Sequence, residues 1–180
     1  MTCDTENKTL EEAFNFFFME IQPKIQPYAD ILNKKLVDCP FTKGLDQEKY
    51  FTYLRSVRKS IDLFREANIP LQAEAAVLQQ QYGSIAGKMM IEQDGQEYTL
   101  QQAGKFLESE DRQIRETVYK KIAERRLVDK EPLNELFSKL VALRHQVALN
   151  AGFSNYRDYK FAEMGRFDYT PASCFQFHEA

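Results

Sequence analysis

Glycine and proline are scarce in this sequence, and their scarcity excludes a chain built mainly from long irregular loops. Seven glycines and six prolines occur in 180 residues. Apolar residues make up 43% of the chain and charged residues 28%, as is ordinary for a soluble globular protein. A chain of this length can bury a sizeable core, so we expect one large domain or two small ones.

Cysteine is also rare, and no pair of cysteines forms a CxxC motif. Cys3, Cys39 and Cys174 are an odd number at wide spacing, which favours free thiols in a reducing cytosol. The chain opens with no secretory apolar segment, and its densest apolar run, residues 14–21, is too short to span a bilayer. We therefore expect a cytoplasmic protein that does not bind membranes.

The chain has no excess of positive charge. It carries 24 Lys and Arg against 27 Asp and Glu, a net charge of −3, and the basic residues are interleaved with acidic ones. Binding to phosphate backbones requires clustered positive charge. Nucleic acid is therefore not expected to be the main partner.

Motifs for catalysis are missing as well. No glycine-rich phosphate loop and no GxSxG nucleophile motif occurs. His145 has Val141 and Leu149 four residues away on either side, so a structural histidine is favoured over a metal ligand or a base. His178-Glu179 supplies only the first two residues of the zinc motif HExxH. No catalytic and no metal-binding residue is predicted.

Apolar residues recur at steps of three and four along most of the chain, which predicts a mostly α fold. We expect a helical bundle or stacked helical hairpins. Pro23 is predicted to end the first helix, Pro40 to stop the second, Asp46 to cap the third and Gly83 to end the fourth. The predicted helices span residues 10–21, 25–36, 46–64 and 71–83.

Four phenylalanines cluster near the start of the chain, at positions 14, 16, 17 and 18. A helix buried on more than one side is the favoured interpretation. A face that binds lipid or a partner is the alternative.

A single β-hairpin is predicted at about residues 87–100. Asp94-Gly95 is a strong two-residue turn signal between two extended segments. Thr99 and Gln102 then match a capping box that begins a short helix reaching about residue 107. Because an isolated hairpin is only marginally stable, this one must pack on helices.

Two long amphipathic helices follow the hairpin. Ser109 is predicted to cap the first, whose apolar line is Ile114, Val118 and Ile122. The second begins near Pro132 and ends at Gly152 in a left-handed C′ position, with Phe153 folding back. Its stripe is Leu133, Leu136, Leu140, Leu143 and Val147, widened by Phe137, Val141 and Ala148.

The last part of the chain is rich in aromatic residues. Ser154 is predicted to cap a short helix, and Thr170-Pro171 to begin another. Arg166 and Asp168 lie between these helices, and the favoured role for them is a polar pair or cap that fixes the turn. A substrate contact is the alternative, because loops at helix junctions often supply binding groups.

Three segments carry a resemblance to a known family. They read LVALRHQVALNAGFSNYRDYKFAEMGRFDYTP, DRQIRETVYKKIAERR and GKMMIEQDGQEYTLQQAGKFL. The first two strongly resemble the oligoendopeptidase F branch of the thimet-oligopeptidase-like zinc metallopeptidases, and the third is similar to the piece that precedes them there. The resemblance extends from about residue 87 to residue 180. Over the first eighty residues only the helical character agrees.

The resemblance implies a largely α-helical, clam-like enzyme whose two lobes enclose a channel for short peptides. In that family the two histidines of HExxH and a distant glutamate bind zinc, which lowers the pKa of its bound water towards 7. None of these residues can be placed on this sequence. The chain is therefore expected to bind no zinc and to be inactive alone, while zinc belongs to the parent enzyme.

The resemblance further implies an organisation and a set of candidate contacts. Residues 1–108 are expected to form an N-terminal helical region with the hairpin, and residues 109–180 the start of the peptidase body. The expected partners are short peptides, through the complete enzyme, and the missing C-terminal catalytic portion. Candidate channel or packing contacts are Tyr156, Tyr159, Arg166, Asp168 and Tyr169. The alternative is a stand-alone, non-catalytic helical protein-interaction domain.

Overall fold

The computed structural model describes residue 4 and residues 7–180. The fold is mostly helical with one two-stranded antiparallel hairpin, as predicted. The prediction of a free thiol at Cys3 lies outside the described residues, whereas Cys39 and Cys174 are free thiols. Within the described part of the chain, no helix is long and apolar enough to cross a membrane.

The elements follow one another with short connections. A π-helical turn, Phe17–Ile21, links the first two helices, and two 3-10 turns are Pro40–Gly44 and Gly104–Glu108. The strands are β1 (Met90–Gln93) and β2 (Gln96–Thr99). The helices are α1 (Lys8–Phe16), α2 (Gln22–Asp38), α3 (Gln47–Leu63), α4 (Asn68–Gly87), α5 (Leu100–Ala103), α6 (Arg112–Val128), α7 (Lys130–Asn150), α8 (Tyr156–Glu163) and α9 (Pro171–Glu179).

Pro23 does not end the first helix, so that prediction is wrong. Helical backbone continues through the π-helical turn, which closes with the Gln22 N–H donating to the Phe17 carbonyl. Pro23 then lies in the first turn of α2, where a missing N–H leaves no helical hydrogen bond unmade. The backbone therefore passes from α1 through the π-helical turn into α2 without a break at Pro23.

The phenylalanine cluster is not buried on more than one side, contrary to the favoured interpretation. Neither α1 nor the π-helical turn contains a buried residue. Phe16 is 60% exposed and Phe17 is 44% exposed. The helical period was right, but no element of the described chain covers these two rings fully.

Helix α2 exposes its apolar line and buries a polar residue, the reverse of the usual amphipathic helix. Its apolar line, Ile25, Tyr28 and Leu32, is 53%, 68% and 64% exposed. Asp30, by contrast, is buried. The predicted stop before Pro40 is confirmed, because α2 ends at Asp38.

The predicted start of α3 is confirmed, whereas the predicted end of α4 is wrong. Asp46 caps α3, since its Oδ1 accepts from the N–H groups of Glu48 and Lys49, both at 3.0 Å. Helix α4 does not end at Gly83 but continues to Gly87. A glycine inside a helix costs only about 1 kcal/mol relative to alanine. Across the turn that contains Gly83, Gln80 Nε2 also donates a hydrogen bond to the hydroxyl of Ser84 at 2.7 Å.

The hairpin and its dependence on the helices are confirmed. Asp94 and Gly95 both have positive φ, 54° and 76°, as a type I′ turn requires. Ile91 of β1 packs with Val118 and Ile122 of α6. The Lys121 Nζ also donates to the carbonyl of Glu92 at 2.7 Å, so α6 holds the hairpin by apolar and polar contacts.

Two predicted caps lie close to the true ones but are wrong. Asp111, not Ser109, caps α6, with its Oδ1 accepting from the Gln113 N–H at 2.7 Å. Asn155, not Ser154, caps α8, with its Oδ1 accepting from the Asp158 N–H at 2.9 Å. In both places two strong cap residues are near neighbours, and sequence alone does not choose between them.

Helix α7 has a narrower buried face than predicted, because Phe137 and Val141 are exposed. Its end is confirmed: Gly152 has a φ of 87°, and the Phe153 N–H donates to the Ala148 carbonyl at 2.9 Å. The Thr170 cap before Pro171 is also confirmed, with Ser173 completing a capping box. The buried residues of the predicted stripe are Leu136, Leu140, Val147 and Ala148.

The chain forms two compact units. The hairpin unit comprises the described residues up to Phe14 and residues 76–140, and its core is Ile91, Ala103, Val118 and Ile122. The cleft unit comprises residues 15–75 and 141–180, and its core is Leu63, Val147, Ala148, Ala151 and Tyr159. The expected division at residue 108 stays a prediction.

Candidate functional site

All five candidate contact residues lie in the cleft unit, on α8 or in the loop that follows it. Helix α8 is a short amphipathic segment whose start is fixed by the Asn155 cap. It places Tyr156 and Tyr159 one turn apart, so both rings reach the same core. The loop from Met164 to Thr170 then carries the remaining three.

Tyr159 is a core residue rather than a surface contact. Its ring is buried and packs edge-to-face against Phe153 at 5.7 Å. Its hydroxyl accepts from Gln72 Nε2 at 3.5 Å, a long hydrogen bond. Burial, together with the nearby Glu163 carboxylate, raises the pKa of Tyr159 to about 12. The phenol is therefore neutral at physiological pH.

Asp168 is tied to α3 and not to Arg166. Its carboxylate accepts two hydrogen bonds from the guanidinium of Arg55, at 2.8 and 3.3 Å. That guanidinium also lies over the rings of Phe167 and Phe51, at 4.3 and 5.0 Å. The hydrogen bonds from Arg55 hold the pKa of Asp168 below its usual value. Arg55 thus fixes this loop to α3.

Arg166 takes part in a separate aromatic contact. Its guanidinium lies 5.2 Å from the ring of Phe161 and 6.0 Å from the ring of Tyr169. The two rings meet edge-to-face at 5.4 Å. Tyr169 and Asp168 remain exposed to solvent. The loop therefore presents an ordered, accessible surface built from charged and aromatic groups.

A cleft of about 410 Å³ lies beside this loop, and we call it the α2–α3 cleft. Of the five candidate residues only Tyr159 lines it. The polar residues in its wall are Gln26, Asp30, Asn33, Ser56, Lys59, Ser60, Gln72 and Glu163. Sequence reasoning missed these residues. The only sequence signal was the recurrence of polar side chains at 22, 26, 30 and 33, a helical spacing.

Asn68 is a second polar group that the sequence did not single out. It is only 1% exposed, and its Nδ2 donates to the Val147 carbonyl at 3.0 Å. Its Oδ1 accepts from Asn150 Nδ2 at 2.8 Å. Asn68 thereby joins the start of α4 to the end of α7 within the cleft unit.

Zinc, which the family resemblance implies for the parent enzyme, does not fit the residues of this chain. Among residue 4 and residues 7–180, no three His, Cys, Asp or Glu side chains come together as a metal site. His145 and His178 are both exposed, and neither belongs to such a group. No step of a zinc mechanism is derived from these residues.

Comparison of the sequence with protein families gives a match over the first third of the chain. Residues 1–64 match the family described as the Peptidase M3 N-terminal domain. This is the part of the chain in which the resemblance by motif was weakest. No curated protein is similar enough to the sequence to count as a match.

Comparison of the fold with solved structures gives similarity over almost the whole chain. A protein described as an oligoendopeptidase F from Bacillus anthracis str. Ames is 22% identical, with a TM-score of 0.89 over 98% of this chain and 32% of its own. A second structure described as an oligoendopeptidase F is 24% identical, with a TM-score of 0.86 over 94% and 30%. PZ peptidase A, solved with an inhibitor, is 22% identical, with a TM-score of 0.89 over 98% and 31%.

At this level of identity the structures show a shared fold, and the chain spans about a third of the length of each. The family match comes from sequence and covers residues 1–64, whereas the fold match covers almost the whole chain. Together the two comparisons support the resemblance to oligoendopeptidase F, for the N-terminal portion of such a peptidase.

Proposed function

We propose that this chain is the N-terminal helical region of a zinc-dependent oligoendopeptidase, and that its helices form part of the wall of a channel for short peptides. One observation carries the proposal: a match to a peptidase N-terminal family and a shared fold with peptidases occur in the same chain. In this proposal the zinc and the catalytic residues belong to another part of the parent protein, and this region is inactive alone.

The exposed line of α2 supports a role as part of a larger molecule. Ile25, Tyr28 and Leu32 lie on one face, and each is more than half exposed. Contiguous apolar surface of this kind usually marks an interface. In the parent, the catalytic portion covers this face.

The loop after α8 supplies the candidate contacts with peptide. Tyr169 and Asp168 are exposed, while Arg55 and the aromatic rings hold the loop in one conformation. A fixed loop that presents a carboxylate and a phenol can orient a peptide by hydrogen bonds. Tyr159 acts instead as a packing contact beneath the loop.

Hydrolysis of short quenched fluorescent peptides tests the proposal. The 180-residue chain with zinc should show no hydrolysis. The native polypeptide from its source cells should hydrolyse the peptides, and a chelator should abolish that activity. Zinc-dependent hydrolysis by the chain alone overturns the assignment of catalysis to another part. An inactive native polypeptide overturns the peptidase assignment.

A pair of variants on α2 tests the interface. Leu32→Ser should leave the 180-residue chain unchanged but destabilise the native polypeptide by about 2 kcal/mol, since a buried leucine contributes roughly that much. Lys35→Ser, at an exposed position on the same helix, is the control. Equal stability of the two variants in the native polypeptide contradicts the proposed interface.

The same exposed face favours a second function, that of a stand-alone helical interaction domain without catalysis. A separate partner then covers α2, and the native polypeptide contains no zinc. In that case Leu32→Ser weakens binding of the partner and leaves the stability of the native polypeptide unchanged.

A further inference from the structure

Another pocket lies in the hairpin unit, and we call it the Arg126 pocket. It is formed where the end of α4, the end of β2 and the start of α5 meet α6 and α7. All of its lining residues belong to the same compact unit. Its volume is about 690 Å³, and sites for small molecules span roughly 300–1,000 Å³. The pocket is therefore large enough to hold a small ligand.

Apolar side chains form most of the wall of the Arg126 pocket. Met89 is buried, Leu100 and Leu133 are half-buried, and the ring of Tyr82 is 57% exposed. Water in contact with such a wall is displaced favourably by an apolar group. A ligand that fills this pocket is therefore expected to have an apolar body.

Arg126 is the one charged residue that the structure places in the wall of this pocket, among the residues it describes. Its neighbour Arg125 pairs with Asp129 and donates to the Lys88 carbonyl. Arg126, by contrast, is exposed and makes no hydrogen bond or ion pair with any described residue. Its N–H groups are thus available to a ligand, and apolar walls strengthen its attraction for an anion.

The other polar groups of the wall can also donate hydrogen bonds. Thr99 Oγ1 accepts from the Gln102 N–H at 3.2 Å, which leaves the hydroxyl hydrogen of Thr99 free to donate. Gln101 adds a side-chain amide with two N–H groups. Within the described chain, no carboxylate lines the pocket. Its polar side therefore offers donors and a single positive charge.

We propose that the Arg126 pocket binds a carboxylate carried by an apolar group. The guanidinium of Arg126 holds the carboxylate, and Tyr82 and Leu100 pack against the apolar body. A planar guanidinium matches a carboxylate with two parallel hydrogen bonds. The inference concerns only the hairpin unit and does not depend on the proposed peptidase role.

The test is a titration of the isotopically labelled 180-residue chain, followed by amide NMR shifts. The probe is 3-phenylpropionate. One control, 3-phenylpropan-1-ol, keeps the apolar body without the charge, and the other, acetate, keeps the carboxylate without the body. The probe should bind saturably, shift amides around Thr99, Leu100 and Arg126, and bind at least about tenfold more tightly than either control. Equal binding of a control, or no saturable binding of the probe, overturns the proposal.

An arginine variant with a matched control tests the ionic contact. Arg126→Gln should weaken binding of 3-phenylpropionate at least about tenfold, since hydrogen bonds between charged groups are worth that much or more. Because Arg126 is exposed and has no partner among the described residues, its replacement should leave the fold intact. Arg112→Gln, at an exposed position of the same helix outside the pocket, should leave the affinity unchanged. Equal affinities of the two variants overturn the proposal.

A tyrosine variant with its own control tests the apolar wall. Tyr82→Ala should weaken binding roughly two- to tenfold, because it removes an aromatic contact with the phenyl ring of the probe. The exposed position of Tyr82 protects the fold from this change. Tyr119→Ala, at a position of α6 that is 65% exposed and outside the pocket, should have no effect. Undiminished affinity in Tyr82→Ala overturns the proposed position of the apolar body.

The source of the carboxylate is distinguished with one more probe. N-acetylglycylphenylalanine carries the same apolar group on a peptide C-terminus. It binds more tightly than 3-phenylpropionate if the pocket takes a peptide end, and no more tightly if the pocket takes a small apolar acid. Binding of either compound that Arg126→Gln does not weaken lies elsewhere and overturns the assignment to this pocket.

Discussion

The two units bury different kinds of residue. The buried side chains of the hairpin unit's core cluster are aliphatic, Ile91, Ala103, Val118 and Ile122, with the rings of Tyr98 and Phe106 partly buried against them. At the edge of this core Lys121 donates a hydrogen bond to β1. The cleft unit buries polar groups as well, among them Asn68, Tyr159 and Asp30. An aliphatic core needs only shape, whereas buried polar groups must each find a partner.

Buried polar groups with and without a hydrogen-bond partner have different consequences for the fold. Polar groups that are buried and satisfied, such as Asn68, fix one arrangement of helices. A buried polar group without a hydrogen-bond partner, such as Asp30 Oδ1, lowers the stability of the fold. Such unsatisfied groups occur in both units, because Gln80 Oε1 of the hairpin unit is also buried without a partner among the described residues.

The largest expected effect is in the aliphatic core. Ile122→Ala should destabilise the chain by about 2–5 kcal/mol, because it removes buried methylene and methyl groups and leaves a cavity. Ile114→Ala on the same helix is the control, since Ile114 lies at 36% exposure. Urea unfolding measures both variants. Equal losses at the two positions would mean that the hairpin unit has no core of the kind described.

The next largest loss of stability is expected in the buried hydrogen-bond network of Asn68. Asn68→Ala should cost about 1–3 kcal/mol, since it removes two hydrogen bonds and leaves the amide of Asn150 without its acceptor. Asn134→Ala, at an exposed position of α7, is the matched control and should be close to neutral. An Asn68 variant as stable as the control would show that this network does not hold the cleft unit together.

A smaller effect is expected at the loop after α8. Arg55→Met keeps the apolar stem but removes the cation from the faces of Phe51 and Phe167, and should cost about 1 kcal/mol. Circular dichroism with urea unfolding measures the loss. Arg58→Met, on the same helix at an exposed position, is the control. No difference between the two would mean that Arg55 does not anchor the loop.

Acidification should remove the contribution of the Arg55–Asp168 contact to stability. The folded pKa of Asp168 lies below its unfolded value because Arg55 donates to it. Its contribution to stability is therefore present above the unfolded pKa and is lost as the pH falls through the folded pKa. The stability difference between the wild type and Asp168→Asn should vanish in that acidic range. A difference that persists at the lowest pH at which the chain stays folded would contradict the pairing.

The smallest effect is expected at Tyr159. Its hydrogen bond to Gln72 is long, so Tyr159→Phe should cost less than about 1 kcal/mol. The pKa of Tyr159 is raised to about 12 by burial, so the wild type should lose stability as pH rises from about 10, where unfolded tyrosine ionises, towards 12. Tyr159→Phe should lose less over that range. Identical alkaline profiles would show that the phenol is not buried.

Local signals in the sequence were sufficient for much of the fold. The hairpin follows from Asp94-Gly95, and the start of α9 follows from Thr170-Pro171, because each feature is decided within four residues. The end of α7 at Gly152 is of the same kind. Where two cap residues stand close together, as at Ser109 and Asp111, the local signal does not choose between them.

Contacts across long stretches of chain could not be predicted. Arg55 and Asp168 are 113 residues apart, and Asn68 reaches Val147 over 79 residues. The inversion of α2 has another cause, since periodicity shows that a helix has two faces but not which face the rest of the chain covers. For this reason Asp30 and Gln26 escaped notice.

The most direct test of the central claim is the intact mass and zinc content of the native polypeptide purified from its source cells. We predict a chain much longer than 180 residues that carries about one zinc, as a single catalytic site requires. A native polypeptide of 180 residues without zinc would contradict the claim and identify the region as a non-catalytic interaction domain.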